Sequence, residues 1–471
     1  MKARTLSAVV GLSLWALATM ATPLRGQCGP VELARRVAAD GAMNDNFGIA
    51  VALHGNTVVV GAWAAAGVSP GAGAAYVLLR NGDAWTQQAK LVALDGASND
   101  GFGVSVDVSG DTIVVGSPFA GTAGSAYVFM RSGEAWNQQA KLTASDAAAN
   151  DTFGISVAID DDTIVVGAEA DDTSGGTDAG SAYVFTRSGS FWSQQAKLTA
   201  VDGAADDRFG YSVSLSEHSA IIGAQGDDIS GGSNLGSAYV FNRCESVWSQ
   251  QAKLTASDGA ANDSFGVSVC ISGDTAIVGA SGDDTTAGTD AGSAYIFSRI
   301  GDTWTSSIRL MPSDATESDQ FGISVAIEGD TALIGAYNDD IAGSANVGSA
   351  YVLTRNYDSC PAGWAQQAKL TATDGDALDV FGYAVAISAD TGLIGAFADE
   401  TTGGTHAGSA YVYGLGCDSD GDSILNANDV CPSNAPGLPV DRFGRPLRDC
   451  NGDCIFDSAD IQCIVDEMLG P

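Results

Sequence analysis

The chain of 471 residues carries 21 Lys plus Arg against 57 Asp plus Glu, a formal net charge of −36 that disfavours nucleic acid, anionic membranes and other polyanions as partners. Its hydrophobic content of 45% supports a large core and excludes a disordered chain. With 60 Gly and only 17% charged residues, the composition points to many short strands joined by tight turns.

At the N-terminus, Lys2 and Arg4 precede an apolar run over residues 6–20, with the small Thr19 and Ala21 at a spacing that suits signal peptidase. This reads as a secretory signal peptide, assigned to residues 1–27. The run is shorter than the roughly 20 residues a membrane span requires. No later segment qualifies, so an exported protein without a transmembrane segment is expected, either secreted or at the cell surface. Gln27 stands before Cys28 where a lipid-anchor signal demands a small residue, which argues against that anchor. Export makes disulfides permissible.

Phe-Gly pairs then begin at Phe47, Phe102, Phe153, Phe209, Phe265, Phe321 and Phe381, spaced 51 to 60 residues apart, and a period in this range signals an array. The copy from Phe265 reads FGVSVCIS, a turn at Gly273-Asp274, TAIVGAS, a polar loop, GSAYIFSR, a short turn and WTSSIRL. Each run is β-branched or aromatic and too short for a helix. Four antiparallel strands per copy, seven times over, predict an all-β fold: a seven-bladed β-propeller of four-stranded blades over residues 28–416. The first two runs of each copy are apolar almost throughout, as they must be if stacked blades bury both faces. In FGISVAI from Phe153, the larger Ile155, Val157 and Ile159 alternate with Ser156 and Ala158, so large faces can nest on small ones.

The outer run W-x-Q-Q-A-K-L recurs at Trp85, Trp136, Trp192, Trp248 and Trp364, with a degenerate form at Trp304. Its lysines, Lys90, Lys141, Lys197, Lys253 and Lys369, are expected on an exposed edge, where charge discourages aggregation. Six such strands serve seven blades, so residues 31–38 are expected to supply the missing one and close the ring against residues 381–413. That closure brings Cys28 beside Cys417 and predicts a disulfide between them, which adds roughly 4 kcal/mol in the chain-entropy model. The alternative is that either Cys pairs inside the C-terminal tail.

The FG copies and their matching Gly-Ala pairs at Gly61, Gly167, Gly223, Gly279, Gly335 and Gly395, with a GSP variant at Gly116, resemble FG-GAP repeats. Such repeats form the propeller of integrin α-subunits and of many exported bacterial proteins. The resemblance covers about residues 31–416. Integrin-type repeats place a D-x-D-x-D-G calcium loop between the FG and GA strands, whereas this chain has tight turns there, such as Ser109-Gly110-Asp111. Calcium sites of that type are therefore not expected.

Every Phe of the FG pairs is preceded by an Asp seven residues earlier and another two residues earlier, from Asp40 and Asp45 to Asp374 and Asp379. The loops between second and third strands add further acid, including Asp171, Asp172 and Asp178, Asp227 and Asp228, and Asp399 and Glu400. Strand alternation places both loop sets on one face, which is therefore anionic. Two readings follow: a cation-attracting docking surface, as the corresponding integrin loops form a ligand face, or aspartates that shape turns and keep the protein soluble.

Composition changes after Cys417. Asp418, Asp420, Asp422, Ile424 through its carbonyl, Asn426 and Asp429 occupy positions 1, 3, 5, 7, 9 and 12 of a calcium loop, and the ending Asp-x-Cys-Pro resembles a thrombospondin type 3 repeat over residues 417–448. Asp449, Asn451, Asp453, Ile455, Asp457 and Asp460 repeat the spacing before a helix-patterned IQCIVDEML, so residues 449–471 resemble half of a dockerin or EF-hand unit. One half alone argues less for cohesin binding. Ser423 and Cys454 replace the usual Gly at position 6, which lowers the expected affinity. Cys431, Cys450, Cys454 and Cys463 are expected to staple this module in one of three pairings. Of the remaining cysteines, Cys244, Cys270 and Cys360, the second is expected to be a buried thiol.

Only His54, His218 and His406 are present, at unrelated positions in three copies, so no His triad or zinc site is suggested. A catalytic centre normally breaks repeat symmetry, whereas the later copies are near-identical. The expectation is a non-catalytic, extracellular binding or adhesion module with a calcium-stabilised appendage for attachment or spacing, and an unidentified protein or glycan ligand. The alternatives are a secreted carbohydrate-active enzyme or accessory subunit, and a structural surface protein.

Overall fold

Runs of four to eight β-branched or aromatic residues, each bounded by Gly, Asp or Ser, make strands too short to be stable alone, and they pair with their sequence neighbours. The computed structural model describes residues 29–415, apart from 83, 230–231 and 357–362. Seven four-stranded antiparallel sheets result, and no helix forms among the described residues. Blade 3 is typical, with an inner strand Val157–Asp160, then Thr163–Ala168, Ser181–Ser188 and an outer strand Phe191–Leu198. A tight turn joins the first two, with Asp161 in the left-handed region at φ 50°. The other blades repeat this order, numbered by the Phe that precedes each.

The expected closure is observed. Val31–Arg36 pairs antiparallel with Ser409–Gly414 and completes blade 7 around Ala384–Ser388 and Thr391–Ala396. Arg35 stands opposite Tyr411, the register that Lys90 holds opposite Tyr76 in blade 1.

Blades stack through apolar clusters that each span two neighbours. Val157 and Ile159 of blade 3 pack with Val114, Val128 and Leu142 of blade 2, while Ser156 on the small face donates its hydroxyl to the Gly210 carbonyl of blade 4 at 2.8 Å. The large and small faces of the inner strand therefore meet opposite neighbours, and the surface that receives Val157 and Ile159 mixes the small Ala126 and Ala144 with larger residues. Each buried Val or Ile contributes roughly 1.5–3 kcal/mol relative to exposure. Phe153 closes the top of its cluster edge-on to Tyr183, with ring centroids 5.5 Å apart.

The two glycines of the repeat meet across each blade interface. Gly210 adopts φ 97°, open to glycine but strained for other residues, and its carbonyl lies where a Cβ on Gly167 would sit, 1.9 Å away. The GA glycine of one blade is thus the seat for the FG backbone of the next. The other interfaces show the same contact, including Gly395 under Gly48 where the ring closes.

The outer strands correct one expectation. Their lysines do not stand as free charges on an edge: the side chains are only 24 to 35% exposed and turn towards the loops. The outer motif joins blades instead. Trp136 Nε1 donates to Gln88 Oε1 of blade 1 at 2.9 Å, and the Leu94 amide leaving blade 1 donates to Gln138 Oε1 of blade 2 at 3.0 Å. Sequence alternation could not reveal this, because the partners lie about 50 residues apart.

Candidate functional site

Each loop entering an inner strand packs against the loop between second and third strands of the preceding blade. Asn150 donates to the Thr122 carbonyl, and Phe153 to that of Ala123. The two acidic loop sets therefore share one face, as expected, but their carboxylates are largely committed within it. The Asp two residues before each Phe is buried and folds its own loop: Asp151 Oδ2 accepts the Ala148 amide at 2.6 Å, and the other loops repeat the contact. The Asp seven residues before pairs with the outer-strand cation. Lys197 Nζ lies 2.6 Å from Asp146 and 2.6 Å from the buried Asp171, while the Tyr183 hydroxyl donates to both carboxylates.

This cluster of one cation, two carboxylates and a tyrosine recurs around Lys253, Arg309 and Lys369, and around Arg35 in blade 7. Burial works against ionisation, yet hydrogen bonds from Lys197 and Tyr183 hold Asp146 below the ordinary carboxylate range. Among the loop-folding aspartates no cation is in such contact, and burial pushes Asp207, Asp263 and Asp379 up to about 6. For these residues the structure favours the turn-shaping reading of the acid.

Blades 1 and 2 depart from the pattern. Ala65 and Ala120, both buried, stand where Asp171 stands in blade 3, so Lys90 and Lys141 keep one carboxylate each, Asp40 and Asp95. Their connecting loops, 63–73 and 118–124, contain no charged residue, whereas the loops of blades 3–7 carry the paired acids and form small hairpins such as Thr173 against Gly176.

At the centre of the face, residues flanking the FG and GA pairs converge on a recess of about 520 Å³ lined by Asn46, Ile49, Trp63, Val104, Phe119, Ile155, Tyr211, Tyr383 and Phe397. Tyr383 packs edge-on to Phe397 and Tyr337, with centroids 4.7 and 5.4 Å apart. Glu169, the residue after Ala168, lies beside Tyr211 and within reach of the Arg208 charge; burial pushes its carboxyl up, and its Oε2 has no hydrogen-bond partner. The sequence reading missed this basin, because its members are single residues scattered over the chain. The signal was present in the residue after each FG, where Tyr211 and Tyr383 replace Ile or Val.

A second break in symmetry lies on the inner strands. Asp107 occupies the position of Ala52, Ala158 and Cys270, accepting the Ile159 amide at 2.7 Å and that of Val108 at 2.8 Å, and burial pushes it up to about 7. Cys270, expected to be buried, is half-buried with its thiol raised by desolvation, and Cys244 is exposed.

The calcium-loop residues Asp418, Asp420, Asp422, Ile424, Asn426, Asp429, Asp449, Asn451, Asp453, Ile455, Asp457 and Asp460, and the expected pair Cys28 and Cys417, lie outside the described residues. Among the described residues, no group of three His, Cys, Asp or Glu is placed to hold a metal ion, and no helix is long and apolar enough to cross a membrane.

A family model described as FG-GAP repeat matches residues 31–78, 85–129, 136–185, 192–241, 248–297, 304–353 and 364–413, well over half of the chain. Each matched segment starts in an outer strand and ends in the third strand of the following blade, so the sequence repeat straddles a blade interface. No curated protein matches the chain.

Proposed function

Because the chain belongs to the FG-GAP repeat family, we propose that it is an extracellular binding or adhesion module whose ligand docks on the loop face. The observation that carries this reading is the aromatic basin at the centre of that face, framed by acidic hairpins. A concave, mostly apolar site with few polar groups is the usual form of a binding site. The near-identical strands of blades 3–7 support scaffolding of a surface over a single reaction centre. The residues after Cys417 are proposed to bind calcium through their carboxylates and carbonyls, hard oxygen donors suited to that ion, and to serve as an attachment or spacer module.

The test is a screen of extracellular proteins and glycans with the full chain and with Trp63→Ala and Tyr383→Ser. Saturable binding that both variants weaken, without turnover, is the expected result; binding indifferent to both would overturn the placement of the site. For the tail, calorimetric calcium titration of the full chain should show about two sites, one lost in Asp422→Asn and one in Asp453→Asn. Retention of both sites in the double variant would refute the tail assignment.

One observation favours a second reading, the carbohydrate-active enzyme. Glu169, Arg208, Tyr211 and Gln225 break the repeat symmetry side by side, and a carboxyl raised by burial suits a general acid. Reducing-sugar release from polysaccharides, abolished in Glu169→Gln, would establish turnover and displace the binding reading.

A further inference from the structure

The loop face is not uniform around its ring, and the asymmetry coincides with the composition of the basin. In blades 3–7 the loops 169–180, 225–236, 281–292, 337–348 and 397–408 form acidic hairpins, while the loop of blade 2 is cut to 118–124 and that of blade 1 runs over the uncharged 63–73. The wall these loops make around the basin is therefore uncharged over blades 1 and 2 and shortened over blade 2. Large apolar side chains lie exposed there: Val68 is 57% and Phe119 53% accessible. Phe119 also lines the basin, together with Trp63 from the neighbouring loop, so the apolar sector and the basin form one continuous surface. The acid resumes on both flanks, with Glu400 in blade 7 and Asp172 in blade 3 exposed.

We propose that a partner polypeptide enters the basin across blades 1 and 2, laying apolar side chains on Trp63, Val68 and Phe119 while basic residues on its flanks meet the acidic hairpins of blades 7 and 3. This rests on the loop face being the binding face, and adds the direction of entry and the class of partner. Charge complementarity selects the occupant. A second copy of this chain, with net charge −36, would bring acid to acid. A saccharide could meet Asn46, Trp63, Tyr211 and Tyr383 on the floor, but it is uncharged and leaves the anionic rim without a counterpart. Apolar side chains flanked by Lys or Arg satisfy both the apolar floor and the anionic rim.

The experiment uses fluorescent nonapeptides with a central Leu-Trp-Phe and flanks of Lys, Asp or Ser, titrated against the full chain and followed by anisotropy and amide hydrogen exchange. Lys-flanked peptides should bind saturably, weaken with added salt and protect residues 63–73 and 118–124. Phe119→Asp and Val68→Asp should each weaken binding at least tenfold, with melting curves verifying that both variants remain folded. Asp284→Asn, on the exposed hairpin of blade 5, should leave binding within twofold. Equal binding of Asp-flanked peptides, indifference to both apolar substitutions, or no saturable binding of any peptide would overturn the proposal. If peptides or chito-oligosaccharides instead protect the loops of blades 3–7, this inference fails and the binding face stands. Binding that protects only the opposite face would refute the face itself.

Discussion

Arg35 Nη2 lies 2.6 Å from the Oδ2 of Asp399, a residue 364 positions later in the chain. The same guanidinium reaches Asp374 at 2.6 Å through Nη1, and its Nε donates to Ser409 at 3.1 Å. Arg35 thus takes the part that Lys197 plays in blade 3, in a strand whose sequence lacks the outer motif.

Removing that cation leaves Asp374 and the buried Asp399 facing each other without a counter-charge. Arg35→Ala should destabilise the propeller by about 2 kcal/mol, with faster amide exchange in Val31–Arg36, and Arg35→Lys should restore most of the loss. Equal stability of the Ala variant and the parent in urea unfolding would show that the closing strand is held by its ladder alone.

Blade 7 stores strain at the loop entering its inner strand. Leu378 has φ 72° and is exposed, at the position filled by Asn44, Asn99, Asn150 and Asn262 in other blades. Asn tolerates the left-handed region better than Leu. Leu378→Asn should stabilise the protein by about 0.5–1 kcal/mol, measured as a rise in Tm, with ligand binding unchanged.

Mild acid should stabilise the propeller. Asp207, Asp263 and Asp379 titrate at about 6 in the folded protein, above their ordinary value near 3.8. The native state therefore holds protons more tightly than the unfolded chain, and stability rises as pH falls from 7 towards 4. Below that range the trend reverses, because Asp146, Asp202 and Asp314 titrate below their ordinary value and lose their partners on protonation. Tm against pH at constant ionic strength should peak on the acid side of neutrality, and Asp207→Asn should raise Tm at pH 7 while flattening the acid-side gain.

Two glycine substitutions should differ sharply. An Ala at Gly167 would set its Cβ 1.9 Å from the Gly210 carbonyl of the next blade, backbone against backbone, and should abolish soluble folding. Gly110→Ala meets no neighbour and carries only the cost of φ 56°, about 1 kcal/mol. Circular dichroism and melting of the two proteins distinguish these outcomes.

The thiols should separate by exposure. Cys244 should react fast with a disulfide reagent in the native protein, whereas Cys270, half-buried and with its thiol raised by desolvation, should react more slowly and accelerate on unfolding. Peptide mapping after timed labelling would reveal the reverse order, if it occurs.

Strand number, turn positions, blade stacking and even the closing strand were legible in the sequence, because each is a local pattern repeated seven times. Apolar runs with Gly-Asp turns need no distant partner to be read, and an outer strand missing at one end must be supplied from the other. The fate of the acid was not legible. Whether Asp146 binds solvent, a metal or Lys197 depends on a side chain 51 residues away reaching the same point. The outer-strand lysines were misplaced for the same reason, since alternation along one strand does not show what a long side chain meets beyond it.

The sequence by itself determined the architecture, since period, β-propensity and turn chemistry are properties of contiguous residues. Only the tertiary structure decided the surface: it brought Trp63, Phe119, Tyr211, Tyr383 and Phe397 from four blades to one basin, and it set beside them the two uncharged loops that lack the aspartates of the other five. Convergence of side chains distant in the chain is a consequence of ring closure, and no local pattern encodes it.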